Sequence, residues 1–516
     1  MNYLSLKRQL KSLTVIQNDS QAVLYDRGSL TLLPVAQQPA LLLAEVLQNV
    51  DYIPPESAAW EVIDELLKNY SASIDFNPLK GLAPPPPPVP GDLIRNNIDP
   101  HRYLNKLAIN IANDCNLACT YCYANEGLYG TPERSLITPD EVEAVVMSFA
   151  NRFDYIENVQ FMGGEPSMNP GAIQRTGEVF ERLVAEGKLP GFPQFVMVSN
   201  GLRFTRTFLE VVKRFKAKVT ISLDGPPEVH DFIRIKTNGS GSYDAIRRTI
   251  KEAQCEGIEI DFEPTFSKRH LDCGVHLIDL CQWFYDEFGV PVLHAPPMSE
   301  NRYGTEPLAL SAEDKIVEFC AVTEWGLDNI FERGRYLMHS FTERLIGSFD
   351  TRTPNKSICP AGNSMLSVST KGEVSPCWMF TDEEPFVLGH IADADLLGDH
   401  SRRVLENLHQ YELHSHPECR ACYMQPVCFG CKGGDYHSTG SLDGKTNCDY
   451  MRAMLATFIM RVFSRPILPE DVSGYFKRPL FGEQIFPTLR PRIEYKASAI
   501  PLIQIQRFKP ADIPRA

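Results

Sequence analysis

The sequence predicts an α/β protein: a parallel sheet with crossover helices, a small α+β unit ahead of it and a cysteine-rich module behind it. Three observations carry that prediction. Strand-like and helix-like patterns alternate from about residue 100 to 300. Five consecutive prolines, Pro84 to Pro88, set off what comes before. Seven cysteines crowd between Cys359 and Cys448.

Composition narrows the class. At 516 residues the chain is too long for one core, and 43% hydrophobic with 22% charged residues is ordinary for a globular protein. A net charge of −14 speaks against nucleic acid as a partner. No apolar run reaches the roughly 18 residues of a membrane span. Met1 to Arg8 lacks an apolar h-region and a small-residue cleavage site, so a cytoplasmic protein without a membrane partner is expected. In that compartment 14 cysteines do not make a disulfide framework, and ligation of metal or clusters better explains the crowded ones. Cys255, Cys273, Cys281 and Cys320 lie in helical patterns and read as buried small hydrophobes.

Residues 1–82 form the first unit. Ala22 to Leu33 reads as a hairpin around Asp26, Arg27 and Gly28, followed by apolar-periodic helices near 38–49 and 57–70. Residues 83–92 are a stiff polyproline spacer. The α/β unit takes 93–310, with candidate strands at 107–112, 158–162, 194–199, 218–223, 258–264 and 291–294. Thr138, Pro139 and Glu141 announce its first helix, as cap, N1 proline and N3 glutamate, and further helices fall near 243–256 and 274–287. Six such βα units suit a curved, partly closed (β/α)6 barrel, whose reactive groups belong at the C-terminal ends of the strands. Residues 311–355 read as a helical linker capped by Ser311, 356–464 as the cysteine-rich domain, and 465–516 as an extended, proline-punctuated tail.

The loop after the first strand holds Cys115, Cys119 and Cys122, spaced C-x3-C-x2-C. A [4Fe–4S] cluster has four irons, so three close cysteines leave one iron free to bind something else. A zinc site is the structural alternative, but zinc usually recruits a fourth Cys or His nearby, and this loop has no His. Motifs close the next strands as well: Gly163, Gly164, Glu165 and Pro166; then Ser199, Asn200 and Gly201; then Ser222, Asp224, Gly225 and Pro226, with Arg234 following.

Together with Tyr121 ahead of the third cysteine, these elements resemble radical S-adenosylmethionine (SAM) enzymes over about 105–300. The resemblance implies a radical SAM partial barrel whose open iron chelates SAM. It implies that Tyr121, Gly163, Gly164, Glu165, Ser199, Asn200, Ser222, Asp224 and Arg234 surround that cofactor. Arg234 is the candidate for its carboxylate, because a guanidinium matches a carboxylate with two parallel bonds.

The later cysteines, Cys359, Cys377, Cys419, Cys422, Cys428, Cys431 and Cys448, resemble the SPASM extension of peptide-modifying members. That implies two auxiliary [4Fe–4S] clusters, one on Cys359, Cys377 and Cys431 and one on Cys419, Cys422, Cys428 and Cys448. Only two residues, Phe429 and Gly430, separate Cys428 from Cys431 where the family pattern has three. The fourth ligand of the first auxiliary cluster is not identified, and a pair of zinc ribbons is the alternative.

The expected activity is reductive cleavage of SAM to a 5′-deoxyadenosyl radical and hydrogen abstraction from a ribosomally made precursor peptide, leaving a C–S or C–C cross-link or a related change. An external donor such as flavodoxin or ferredoxin would supply the electron. The N-terminal unit resembles the winged-helix modules that hold leader peptides, or is a plain cap. Two alternatives stand beside this. One is sulfatase maturation to formylglycine, whose enzymes carry an Asp base directly after the cysteine where this chain has Trp378. The other is a non-catalytic iron–sulfur carrier or scaffold.

Overall fold

The computed structural model describes residues 12–18, 21–35, 79–83, 98–129, 133–298, 306–355 and 357–464, with 10, 44, 47 and 77 besides. The predicted helices near 38–49 and 57–70, the proline spacer and the tail lie outside the described residues, apart from Ala44, Leu47 and Ala83.

The first strands, β1 (Leu13–Gln17), β2 (Ala22–Asp26) and β3 (Thr31–Val35), form an antiparallel three-stranded sheet. The predicted hairpin is its β2–β3 pair, and Leu30 takes a positive φ of 53° to close the turn. β2 is buried along its whole length. Tyr25 packs on Phe349, and Phe349 on Phe458, with ring centroids 5.8 and 5.6 Å apart. This sheet therefore leans on helices 340–351 and 448–462.

The main sheet starts with β4 (Tyr103–Asn113), a long strand with a buried C-terminal half. The short β5 (Ser135–Leu136) pairs with it antiparallel. Then come β6 (Tyr155–Gly163), β7 (Gln194–Ser199), β8 (Lys218–Ile221) and β9 (Ile260–Phe262), each parallel to its neighbour in the sheet. Crossover helices 139–150, 170–185, 206–214 and 243–255 bury one face each against this sheet. Thr138 and Glu141 form the expected capping box.

The sixth candidate strand departs from expectation. β10 (Val292–Leu293) pairs with β11 (Met338–His339) in a separate two-stranded sheet and does not extend β9. Pro291, Pro296 and Pro297 flank it and have no N–H to donate to a ladder. Among the described residues an isolated bridge, Phe266 to Pro297, joins this region to the loop after β9.

The opposite edge holds the surprise. β12 (Met365–Val368), from the cysteine-rich segment, lies parallel to β4, with Met365 opposite Lys106 and Val368 opposite Ile109. β13 (Glu373–Ser375) and β14 (Gly389–His390) continue outward antiparallel, giving the order β14-β13-β12-β4-β6-β7-β8-β9. A large apolar core runs from Ile16 to Val462, a second, smaller cluster gathers Met365 of β12 with Cys377, Phe380, Phe386 and Leu408, and Ser311 caps helix 312–331 as expected. Among the described residues no helix is long and apolar enough to cross a membrane. The isolated cysteines divide: Cys281 and Cys320 are buried as expected, whereas Cys255 is exposed and Cys273 half-exposed.

Candidate active site

The sequence motifs meet at the C-terminal ends of β4, β6, β7 and β8. The cysteine loop leaves β4 at Asp114, whose side chain accepts the Cys115 N–H at 2.8 Å and pairs with Arg134. The loop is then stitched to the segment after β8. Ala118 and Thr120 donate backbone N–H groups to the carbonyls of Ile235 and Ile233, at 2.8 and 3.0 Å, and Leu117 bridges to Lys236.

Glycines let the second motif close on this loop. Gly163 has a φ of 137°, and a Cβ there would run into the Ala112 carbonyl and the Asn110 side chain. A Cβ on Gly164 would enter the Asp114 carbonyl and crowd Gly127. With no side chain in the way, Gly164 N–H donates to Ala112 (2.8 Å) and Glu165 N–H to Asp114 (2.9 Å).

Glu165 turns inward. It is fully buried and accepts from Ser199 Oγ at 2.7 Å, Asn200 N at 2.7 Å and Ser167 N at 2.9 Å. Burial pushes its carboxyl above the usual range, and these donors pull the other way. Its role is thus to tie the second motif to the third. Asn200 goes on to donate its side-chain N–H to Asn116 (2.8 Å) and lies 3.6 Å from the Cys115 sulfur. Ser222 donates its backbone N–H to Ser199 at 2.9 Å and leaves its side chain half-exposed.

Asp224 and Arg234 form a closed pair. Arg234 donates Nε to Oδ2 at 2.8 Å and Nη2 to Oδ1 at 3.2 Å, and both side chains are buried. Tyr121 donates its hydroxyl to the same carboxylate at 3.0–3.1 Å, and Thr265 N–H adds a bond at 3.0 Å. Burial would raise the Asp224 carboxyl, but the Arg234 charge and the donors around it outweigh burial and hold it low. Burial also pushes the thiols of Cys115 and Cys119 up to about 12, so loading a metal must expel their protons.

The seven later thiols sort into two electrostatic neighbourhoods. Cys359, Cys377 and Cys431 act on one another; Cys419, Cys422, Cys428 and Cys448 do the same. Among the described residues no three His, Cys, Asp or Glu side chains are set to hold a single metal ion. A four-iron cluster asks something different, a separate iron for each thiolate, and three thiols on one loop suit that chemistry.

Several site residues carry no motif of their own. Tyr129, at a φ of 50°, donates its hydroxyl to the Gly163 carbonyl at 3.3 Å, and its oxygen lies 3.4 Å from that of Tyr123. Asn169 holds the carbonyls of Ile111 and Ile137 at 2.9 and 2.8 Å. His230 and His270 brace the Asp224 backbone, at 3.2 and 2.6 Å. Lys106 of β4 stands between Asn158 of β6 and Met365 of β12, with its ammonium 5.3 Å over the Trp378 ring. The sequence does not signal these contacts, most of which join segments far apart in the chain.

Residues 109–270 match the family model of the radical SAM superfamily, and the chain carries a radical SAM domain there. A radical SAM domain whose matched relatives are enzymes speaks for an enzyme and against a non-catalytic iron–sulfur carrier. A cysteine-type anaerobic sulfatase-maturating enzyme of Clostridium novyi is 24% identical over 330 residues, spanning 62% of this chain and 86% of that protein. The radical SAM cyclopropyl synthase TigE of Paramaledivibacter caminithermalis is 26% identical over 308 residues, 55% of this chain and 59% of TigE. The solved structure of native anSMEcpe with bound AdoMet has a similar fold, with a TM-score of 0.55 at 18% identity, over 72% of this chain and 99% of that one.

Proposed function

We propose that this enzyme is a peptide maturase that uses the radical SAM reaction to oxidise a ribosomally made precursor peptide, forming a C–S or C–C cross-link or a related change. One observation carries the reading. The cysteine-rich segment sends β12 into the main sheet beside β4, so Cys359 and Cys377, which flank the β12–β13 pair in the chain, are built onto the catalytic sheet itself. Cys115, Cys119 and Cys122 would hold the cluster that binds SAM, and the other two sets the auxiliary clusters of a SPASM module. Bound there, the cluster and SAM supply a 5′-deoxyadenosyl radical.

The residues around it have defined work. The paired glycines present backbone groups to the cofactor, Glu165 locks the second and third motifs together, and Ser222 offers its hydroxyl. The strands then form a partly closed barrel, with Lys106, Glu263 and His294 as its polar lining. Burial draws the Lys106 ammonium below its usual range while Glu263 opposes this, and Glu263 acts on His294 in the same sense. As a leader-binding unit the N-terminal sheet would serve the auxiliary region, a reading supported by Arg27, which donates to the carbonyls of Arg420 (3.0 Å) and Cys422 (3.4 Å). The proposed division into domains is 1–82, 83–92, 93–310, 311–355, 356–464 and 465–516. A reducing compartment and a one-electron donor of the flavodoxin or ferredoxin kind complete the account.

Peptide as the substrate class draws support from anSMEcpe, whose fold is also solved with a bound Cp18Cys peptide. Sulfatase maturation is a second reading, favoured by the extent of the match to the Clostridium novyi enzyme. Against it stands Trp378, which follows Cys377 and packs on Lys106, where a carboxylate base would be needed. The test is anaerobic turnover of the reduced enzyme with SAM and either a short peptide encoded beside the gene or a sulfatase-derived peptide. Mass spectrometry that finds an altered precursor peptide supports maturation of that class. Formylglycine in the sulfatase peptide alone transfers the enzyme to the second reading.

A further inference from the structure

We propose that the exposed rim around Phe232, beside the cysteine loop, is the docking surface for an acidic one-electron donor of the flavodoxin kind. The proposal rests on the reading that Cys115, Cys119 and Cys122 hold a cluster that takes its electron from outside.

The rim lies where the loop meets solvent. Helix 227–233 runs directly into a segment that lies along the cysteine loop. Thr120 and Ala118 donate backbone N–H groups to the carbonyls of Ile233 and Ile235, at 3.0 and 2.8 Å, and Leu117 bridges to Lys236. Phe232 stands at one end of this pairing and Lys236 at the other. Thr120 follows Cys119 in the chain and is exposed, so one residue separates solvent from a ligating thiol along the loop.

A lone exposed apolar side chain is ordinary on a protein surface. Phe232 differs in how it is held and in its neighbours. It is 53% exposed, more than the other large apolar residues that stand out among those described, Leu136 and Val317. The Arg269 guanidinium lies 4.2 Å from the centre of its ring, fixed there because Arg269 Nη2 donates to the Glu228 carbonyl at 2.9 Å. Neither Arg269 nor Lys236 pairs with a carboxylate among the described residues.

The acids around the rim are mostly engaged. Asp114 and Glu126 of the cysteine loop pair with Arg134, Asp272 pairs with Lys268, and Asp231 accepts the Tyr243 N–H at 2.8 Å. Glu228, one helical turn before Phe232, is exposed and its carboxylate has no partner among the described residues.

The chain carries a net charge of −14, so most of its surface repels an acidic protein. A small cationic rim with an apolar centre is a place where such a donor can settle. Its carboxylates meet Arg269 and Lys236, and the apolar edge of its flavin meets Phe232. On contact the reduced flavin is oxidised by one electron and the cluster is reduced by one; no bond and no proton changes hands.

The experiment uses the full chain, reconstituted anaerobically with its clusters, and compares wild type with Phe232→Ser, Arg269→Glu and Glu228→Lys. One series is reduced by a bacterial flavodoxin hydroquinone, with flavin oxidation followed by stopped-flow absorbance; the other is reduced by dithionite. The yield of 5′-deoxyadenosine is measured in both. Phe232→Ser and Arg269→Glu should slow flavin oxidation about tenfold and leave dithionite-driven SAM cleavage at the wild-type rate. Glu228→Lys removes the unpaired acid and should speed flavin oxidation about threefold, a gain that damage to the fold does not produce. If Phe232→Ser and Arg269→Glu also lose iron or dithionite-driven cleavage, Glu228→Lys alone decides, and an unchanged flavin rate there overturns the proposal. Unchanged flavin oxidation in Phe232→Ser and Arg269→Glu overturns it too, as does wild type that dithionite reduces and flavodoxin does not. Wild type that makes no 5′-deoxyadenosine with either reductant refutes the underlying site reading instead.

Discussion

Replacing Asp382 by Asn should make the protein more stable at neutral pH and leave it unchanged in acid. Asp382 has a left-handed φ of 59°, and its Oδ2 is buried with no hydrogen-bond partner. Its carboxyl is raised from 3.8 to about 6, chiefly by burial, with Lys371 opposing and Glu373 and Glu383 adding to the rise. The folded state thus holds this proton more tightly than the unfolded state. Stability therefore falls as pH rises from the unfolded value near 4 through the folded value near 6, and the whole penalty is present above that window. A rise of that size corresponds to roughly 3 kcal/mol, which solvent screening of a partly exposed group reduces to about 1–1.5 kcal/mol. Asn is uncharged and accepts a left-handed backbone, so the variant escapes the penalty without new strain. Urea unfolding of both proteins across the acid-to-neutral range checks this. The stability difference should grow from near zero at about pH 4 to about 1–1.5 kcal/mol above roughly pH 6.5. A difference that does not change with pH, or a variant weaker throughout, refutes the argument.

Three other perturbations probe the site. Gly164→Ala drives a methyl into the Asp114 carbonyl and should cost about 1–3 kcal/mol while weakening SAM binding, measured by thermal unfolding and equilibrium dialysis. Glu165→Gln replaces one of the two accepting oxygens by an amide that faces the N–H of either Asn200 or Ser167, costs about 1–3 kcal/mol and should lower SAM affinity with cluster content retained. Cys115→Ala, Cys119→Ala and Cys122→Ala should each abolish SAM cleavage. By contrast, Cys419→Ala and Cys422→Ala should spare part of the cleavage and lose the peptide product; equal loss of both activities would mark these two residues as structural.

The motifs were legible because each is local. Cysteines at fixed spacing, glycines at a strand end and a Thr–Pro–Glu cap declare themselves within a few residues, and the structure brings the first four motif groups to one end of the sheet. What was hidden is the pairing of distant segments. β12 has only four residues, all of them buried, and its partner β4 lies some 260 positions earlier, so periodicity has nothing to detect. Asp224 and Arg234 were both visible as motif residues, but their bond to each other was not, and an arginine beside a motif reads naturally as a ligand for a carboxylate from outside. The sixth strand misled because its apolar residues sit between prolines that stop the ladder.

The most direct test of a radical SAM peptide maturase is the yield of 5′-deoxyadenosine from reconstituted, reduced enzyme supplied with SAM and the precursor peptide under anaerobic conditions. The account predicts 5′-deoxyadenosine in proportion to altered peptide, and none from the Cys115→Ala variant. A fully loaded enzyme that makes no 5′-deoxyadenosine, or makes it at the same rate in that variant, contradicts it.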